Sequence, residues 1–354
     1  MMTEAIKVRS FQGKRAVEIL GKLNLIHRGK KIKKSGDFIL IPLIRRPNRD
    51  ELNYILDNLG DVNFCVDFFE DRSSRPRSLV DALIGLIPNS KLELLPRSFD
   101  VIGDVAIIEI PPELSSFKRI IGEALMRIYP RIKAVFAKKS AVSGVFRVRE
   151  LEHVAGVFSS ITLHREYGCI FKVDVLNVYF SPRLSFERYR VARQVEDGEV
   201  VVDMFTGVGP FSIMIAKYSR ANVFSIDINP RAISLLSENL KLNKLRGFVY
   251  PILADANYVL KLFRSEEFAD RVVMNLPENS YLFLDKAIGL VKSGGVIHYY
   301  CFSGGDDPIM YARLKLIDKL RGCDISDFSI IHMRKVKPIA PYKWQIAIDF
   351  KVFK

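Results

Sequence analysis

The sequence predicts an α/β fold, with a mostly parallel sheet of seven strands in residues 151–354 and two small α+β units before it. Three observations carry this reading. From Val200 onward, short continuous apolar runs alternate with runs of helical spacing, as strands covered on both faces by crossover helices require. A glycine turn, Gly207-Val208-Gly209, joins the first of these strands to its helix. Three acids, Asp203, Asp227 and Asp255, stand at successive strand ends, where open α/β sheets bind their ligands.

The 354 residues suffice for two or three domains, and 49% hydrophobic with 27% charged residues describes an ordinary globular chain. No run approaches the ~18 apolar residues of a membrane span. The first residues lack the apolar core of a secretory signal, so a cytoplasmic protein without membrane contact is expected. Cys65, Cys169, Cys301 and Cys323 are scattered, with no C-x-x-C pair and no histidine at ligand spacing, which predicts free thiols and no metal. The net charge is +14, and residues 1–50 hold 13 Lys and Arg against 4 Asp and Glu. A basic N-terminal unit on a nearly balanced body points to a grip on a polyanion, separate from the reacting site. No obligatory protein partner is expected.

In chain order, residues 1–70 form the first unit. Gly13–Leu23 has helical spacing in Ala16, Val17, Ile19, Leu20 and Leu23. Phe38–Leu43 reads as a strand, Asp50–Asn58 as a helix and Val62–Phe69 as a strand. Between the first helix and strand runs His27–Lys34, whose Lys30, Lys31, Lys33 and Lys34 suit a phosphate backbone; Arg45, Arg46 and Arg49 lie in the next turn. Residues 71–90, polar and proline-bearing before a short helix, read as a linker.

The second unit, residues 91–150, opens with Phe99–Ile110, a strand pair about the Gly103-Asp104 turn. Helix Leu114–Ile128 and strand Ala134–Ala137 follow. Phe146 and Val148 then alternate with Arg147 and Arg149, which sets both arginines on one face of a strand. Strands Ser160–His164, Ile170–Val175 and Asn177–Phe180 come next, Pro182 ends the last of them, and Leu184–Val195 is a helix.

The sheet proper takes strands Val200–Met204, Val223–Ile226, Phe248–Leu253 and Arg271–Met274, separated by helices. The first helix is Pro210–Tyr218; the second opens on Asn229 as cap with Pro230 in its first turn; the third lies near Val259–Phe263. Helix Tyr281–Val291, strand Gly295–Cys301 and helix Asp307–Leu320 follow. Strands Phe328–Lys335 and Trp344–Phe350 close the chain as a hairpin that adds an antiparallel strand.

The glycine turn asks for a ligand. A pyrophosphate site wants G-x-G-x-x-G, but Ser212 takes the third glycine position. Asp203 would repel a pyrophosphate, and Pro210 removes an N–H that a phosphate cradle uses. A ribose with a cationic group and no phosphate fits better. S-adenosylmethionine has that make-up, with its sulfonium and ammonium near Asp203, its ribose diol on Asp227, 24 residues further on, and its adenine amino group on Asp255. After the fourth strand comes Asn275-Leu276-Pro277-Glu278, where a side-chain amide and a proline-fixed backbone can hold a planar base edge.

DMFTGVGPFS, SIDINP and MNLPE look like class I methyltransferase motifs, and FRVRELEHVAG, VYFSPRLSFERYR and VIHYY extend the match beyond them. Together they resemble the archaeal–eukaryal tRNA (guanine37-N1)-methyltransferase family over roughly residues 95–354, while the N-terminal unit matches archaeal members by size and pattern. The resemblance implies a Rossmann-like class I methyltransferase domain behind two small RNA-binding domains, with tRNA held at its anticodon loop and outer corner. It implies Glu187 as general base, Arg147 stabilising charge on the base, and Asn275 and Pro277 lining the guanine pocket beside Tyr179 and Arg188. Phe205, Gly207, Gly209 and Ile228 join Asp203, Asp227, Asp255 and Asn275 in the cofactor set it implies.

The chemistry agrees. N1 of guanine carries a proton that a carboxylate must take, negative charge then grows on O6 beside a guanidinium, and the transfer needs the donor held in line. Glu278 departs from the family, where a basic or aromatic residue is usual. Methylation of the wyosine precursor at the same nucleotide, of another RNA base, or non-catalytic RNA binding are the alternatives. Cytosine-C5 chemistry needs a nucleophilic cysteine beside a proline motif, and none of the four has that setting.

Overall fold

The computed structural model describes residues 2–71, 76–140, 144–263 and 267–354; residues 72–75 of the expected linker lie outside them. The chain divides into two compact units, Met1–Arg77 and Ser78–Lys354.

The first unit runs β1 (Met2–Arg9), α1 (Gly13–Lys22), β2 (Lys33–Ser35), β3 (Phe38–Pro42), α2 (Arg49–Leu59) and β4 (Asn63–Phe68). Its sheet is antiparallel in the order β2-β3-β1-β4, and Ile6, Val8, Leu20, Ile41, Ile55 and Leu59 meet in its core. A reciprocal pair starts α2: Asn48 accepts from the Glu51 N–H, and Glu51 from the Asn48 N–H. The sequence reading missed β1, an inner strand. Lys7 breaks its apolar run, yet its ammonium lies 4.3 Å from the centre of the Phe38 ring, an amphipathic side chain on an apolar surface. Lys33 and Lys34, expected in a loop, form β2 at the sheet edge.

The second unit opens with short helices α3 (Leu79–Leu83) and α4 (Asn89–Leu92), then β5 (Phe99–Ile102), β6 (Val105–Ile108), α5 (Lys118–Ile128), β7 (Ala134–Lys138) and β8 (Leu151–Gly156). These four strands make one sheet in that order, so its last strand lies past residue 150. The Gly103-Asp104 turn forms as expected, and it is also a joint. Its N–H groups donate to Nδ1 of His164 and Oγ1 of Thr162, at 3.1 and 3.0 Å, on the hairpin β9 (Ile161–Glu166) and β10 (Cys169–Asp174). A Cβ on Gly103 would stand 2.1 Å from that Thr162 oxygen.

Two expectations here are corrected. Asn177–Phe180 is no strand, because the N–H groups of Asn177 and Val178 both turn back to the Asp174 carbonyl at 3.0 Å. Arg147 and Arg149 precede β8 instead of sharing its face. Arg147 has φ 55° and donates its N–H to Gly144, so the chain turns there.

After α6 (Ser185–Ala192) comes the large sheet. Its elements are β11 (Val200–Asp203), α7 (Pro210–Tyr218), β12 (Asn222–Asp227), α8 (Pro230–Leu242), β13 (Phe248–Leu253), α9 (Val259–Phe263), β14 (Ala269–Met274), α10 (Leu284–Leu290), β15 (Val291–Gly304), α11 (Pro308–Leu320), β16 (Asp327–Ala340) and β17 (Lys343–Phe353). The strand order is β13-β12-β11-β14-β15-β17-β16, parallel up to β15 and antiparallel at β17 and β16. Alternate residues face opposite layers: Val201, Val223 and Val273 pack with α7 and α8, whereas Val202, Val272 and Met274 pack with α10 and α11. Both faces are covered, which is why these strands read as continuous apolar runs. The closing hairpin is longer than expected, with Pro338 inside β16 near its turn, on an edge strand and beside a register shift, where proline is tolerated.

Candidate functional site

The first strand delivers Asp203 to the turn and buries it completely. Its Oδ2 accepts the Ser212 hydroxyl at 2.8 Å, and the Ser212 and Thr206 oxygens lie 2.9 Å apart. Burial pushes the Asp203 carboxyl up to about 6, against these hydrogen bonds. Among the described residues its Oδ1 has no partner. Ser212, read above only as a missing glycine, is therefore the brace of the turn.

Gly209 caps α7 at φ 86°, a left-handed conformation, with Pro210 in the first turn behind it. A Cβ there would stand 2.2 Å from Cδ1 of Leu236. Gly209→Ala is expected to cost at least the ~1–2 kcal/mol of a left-handed L-residue and to displace Leu236. A lower urea midpoint with weakened cofactor binding would show it; an unchanged midpoint would refute the strain.

The second strand ends at Asp227, whose two oxygens accept the N–H groups of Gly207 at 2.7 Å and Asn229 at 2.9 Å. Burial raises its carboxyl, and these backbone donors offset part of the effect. One acid thus fixes both the glycine turn and the start of α8. Asn229 caps α8 as expected, accepting the Arg231 N–H, and its amide also donates to the Asn177 carbonyl at 2.9 Å, which draws the 175–181 segment over the turn. Phe205 is half-buried against Phe283, and Ile228 is half-exposed beside Asp227. Asp255 caps the turn after β13 through the Asn257 N–H at 2.8 Å. A glycine cradle, a diol-sized acceptor at the second strand end and a buried carboxylate oxygen without a partner fit S-adenosylmethionine.

Beside this edge lies a cleft of about 180 Å³. Lys138, Arg147, Arg149, Arg183, Tyr179 and Lys337 line it, so the two arginines face one cavity although they share no strand. Lys337 donates to the Tyr179 hydroxyl at 3.2 Å and to Ser181 at 3.0 Å. Asn275 follows β14 and accepts from the Gln345 amide at 3.2 Å. Its loop is fixed: the Pro277 carbonyl accepts the Phe302 N–H, and the Ser280 hydroxyl reaches the Met274 and Leu276 carbonyls. Glu278 ion-pairs with Arg147, which ties the loop after the fourth strand to the turn before β8.

Glu187 stands on α6 with 1% exposure and does not line that cleft. It accepts from Arg190 at 2.6 Å and from the Tyr300 hydroxyl at 2.8 Å, with Arg334 at 3.5 Å. Arg188 on the same helix is buried. It donates twice to Glu166, once to the Ser181 carbonyl, and lies over the Phe180 ring, so it braces the segment that carries Tyr179 and does not open to solvent. Tyr300, Arg190 and Asp349 were missed by sequence reasoning; VIHYY, which carried part of the resemblance with no role attached, was the available signal.

In the first unit Lys30, Lys31 and Lys33 pair with Asp71, Glu70 and Asp67, while Lys34 lies exposed on β2. Burial pushes the Cys169 thiol up to about 11 and Cys301 up to about 12, so neither offers a ready thiolate. Among the described residues no group of three His, Cys, Asp or Glu could hold a metal, and no helix is long and apolar enough to cross a membrane.

Three family models match: the TRM5/TYW2 methyltransferase domain at residues 162–326, the TYW2 N-terminal domain at 79–159 and the tRNA methyltransferase 5 N-terminal domain at 5–51. The chain is 41% identical to the tRNA (guanine(37)-N(1))-methyltransferase Trm5b of Pyrococcus abyssi, over 99% of each chain. It is similar to a solved complex of aTrm5 with tRNALeu, at 37% identity and TM-score 0.83 over 98% of this chain and 99% of that one. The M. jannaschii TYW2 structure with AdoMet matches at 33% identity and TM-score 0.53, over 73% of this chain and all of that one.

Proposed function

The chain belongs to the TRM5/TYW2 methyltransferase family, and from this we propose that it methylates N1 of guanosine 37 in tRNA with S-adenosylmethionine as methyl donor. The observation that carries the reading is the Arg147–Glu278 pair, which brings the guanidinium to the Asn275–Pro277 loop, at the end of the strand that pairs with the one leading into the glycine turn. Glu278, the departure from the family pattern, thereby has a part in the guanosine reaction: it holds Arg147 until a base arrives.

Bound at the turn, S-adenosylmethionine supplies an activated methyl group on a cationic sulfur. Asp227 would hold the ribose diol with the lone pairs that its two backbone bonds leave, and Phe205, Ile228 and Asp255 would hold the adenosine. The guanine leaves the loop stack to enter the cleft. Tyr179 lines that cleft; Asn275 and Pro277 do not, but stand on the loop that Glu278 ties to the cleft residue Arg147, from which they meet the base's edge, with Arg188 keeping the Tyr179 segment in place. Glu187 removes the N1 proton and Arg147 answers the charge that grows on O6. Arg147 meets that charge from a turn fixed by its own backbone bond, so little reorganisation is needed.

Nucleoside mass spectrometry after treatment of unmodified tRNA transcripts tests the reading. We expect 1-methylguanosine from a guanosine-37 transcript and none when that base is replaced; absence of product from the first sinks it. Product from a transcript lacking guanosine 37 would point to another base, and cofactor binding without product would point to an RNA-binding protein. Offering the wyosine precursor in parallel reads the remaining alternative.

The N-terminal unit is the second grip, on the outer corner of the tRNA. Replacing Lys30, Lys31, Lys33 and Lys34 with alanine is expected to weaken tRNA binding with turnover at saturating tRNA unchanged. Three of them already hold acids, so the salt slope should fall by less than the ~4 that four free phosphate contacts carry. Unchanged affinity would remove these lysines from the interface.

A further inference from the structure

We propose that Arg190 and Asp349 are positioning residues that together set how strongly the Glu187 carboxylate holds a proton; the inference rests on Glu187 being the base of the reaction above. Tyr300 on β15 and Arg334 on β16 both pair with Ala347 of β17, and His298 and His332 both pair with Asp349, two residues further on. Side chains two apart share a face, so these residues form two rows on the sheet, and Ala347 leaves space between them. Glu187 and Arg190, one turn apart on α6, reach these rows from above.

The contacts are those of a divided cation. Arg190 gives Nη2 to Glu187 at 2.6 Å and Nη1 to Asp349 at 2.5 Å. Asp349 is wholly buried and is fixed from its other side by His298 at 2.9 Å. His298 and Arg190 hold the Asp349 carboxyl well below the usual carboxylate range despite its burial, and the two acids raise the Arg190 guanidinium. Asp349 touches neither cleft nor turn, and its charge is compensated on both sides by His298 and Arg190. What it does here is take part of Arg190's charge away from Glu187. Among the described residues, the other charged or titratable groups on Glu187 are Arg334 from β16 and the Tyr300 hydroxyl from β15, with exposed His332 paired beside Asp349. On α6 itself, Arg188 is committed to Glu166, which also meets His164.

The direction of each perturbation follows. Without the Asp349 charge, Arg190 bears on Glu187 alone and weakens it as a base. Without Arg190, two buried carboxylates face one another and Glu187 keeps its proton to higher pH. The measurement is the single-turnover methylation rate against pH, at saturating S-adenosylmethionine and guanosine-37 transcript. Asp349→Asn is expected to move the rising limb down, and Arg190→Gln to move it up, each by about one pH unit. Arg190→Lys keeps the charge and should return the limb to near its native position. Thermal unfolding of each variant reports folding, and if Asp349→Asn does not fold, the two Arg190 variants decide alone. A limb that stays in place in folded Arg190→Gln overturns the proposal and leaves only a structural ion pair. Glu187→Gln separates the two readings: if it keeps the native rate and limb, Glu187 is not the base and both fall. If it loses the rate while the Arg190 and Asp349 variants keep the native limb, only the positioning pair falls.

Discussion

Glu187→Gln is expected to lower the single-turnover rate of methyl transfer about 10²–10⁴-fold, the usual worth of a positioned general base. Cofactor and tRNA affinities should stay within about twofold, because the substitution touches neither the Gly207 turn nor the basic cleft. The amide keeps the shape of the carboxylate and can still accept from Tyr300 and Arg190, so the fold should survive. It cannot take a proton from N1, and that alone should be lost. Rapid-quench assays with filter binding alongside separate these quantities. A variant that turns over at the native rate would show that N1 gives its proton elsewhere; one that loses tRNA binding as well would show Glu187 acting through the fold. Because Glu187 is enclosed by Arg190, Arg334 and Tyr300, a base that enters from the cleft must displace at least one of these contacts. Arg334 is the weakest held, at 3.5 Å, and is the contact expected to yield.

The parallel sheet was legible because its signals are local. An apolar run, a glycine turn, Asn229 before Pro230 and acids at three strand ends are all written in neighbouring residues, and the first strand and the two helices beside it appeared where these placed them. Elements whose conformation is decided by distant partners were not legible. Arg147 alternates with apolar residues like a strand residue, but its turn is closed by a bond to Gly144 and its side chain is held by Glu278, 131 residues away. Asn177–Phe180 has strand-like composition, yet the Asp174 carbonyl and the Asn229 amide fix it as a turn over the cofactor edge. The same holds for the site. Asp203, Asp227 and Asn275 stand at strand ends, a placement legible from position alone, whereas Asp349 and Tyr300 reach the Glu187 cluster only through the register of three C-terminal strands. A motif names residues near in sequence; the closing hairpin brings in what it cannot name.

Asp203 carries a cost that should be visible in stability. Its carboxyl stands near 6 in the folded chain, above the ordinary aspartate value of about 3.9 that the unfolded chain shows. The sign follows from proton counting. Below about pH 4 both states hold the proton, and Asp203 makes no difference. Between about 4 and 6 the folded state keeps a proton that the unfolded state has released, so stability falls as pH rises. Above about 6 both are ionised and the penalty is complete, roughly 3 kcal/mol for a shift of about two units. Urea unfolding of the cofactor-free protein and of Asp203→Asn, compared from pH 4 to 7.5, isolates this term. The native protein should lose roughly 3 kcal/mol relative to the variant across that window, whatever constant cost the amide itself brings. A difference that stays flat would show Asp203 to be ionised without penalty. The penalty has a functional reading as well. A buried carboxylate with one oxygen unpartnered is stabilised by a cationic ligand nearby, so S-adenosylmethionine binding should tighten as pH rises through about 6. Calorimetric titration should find that dependence in the native protein and lose it in Asp203→Asn. The desolvation penalty at the first strand end would then be relieved by the bound cation.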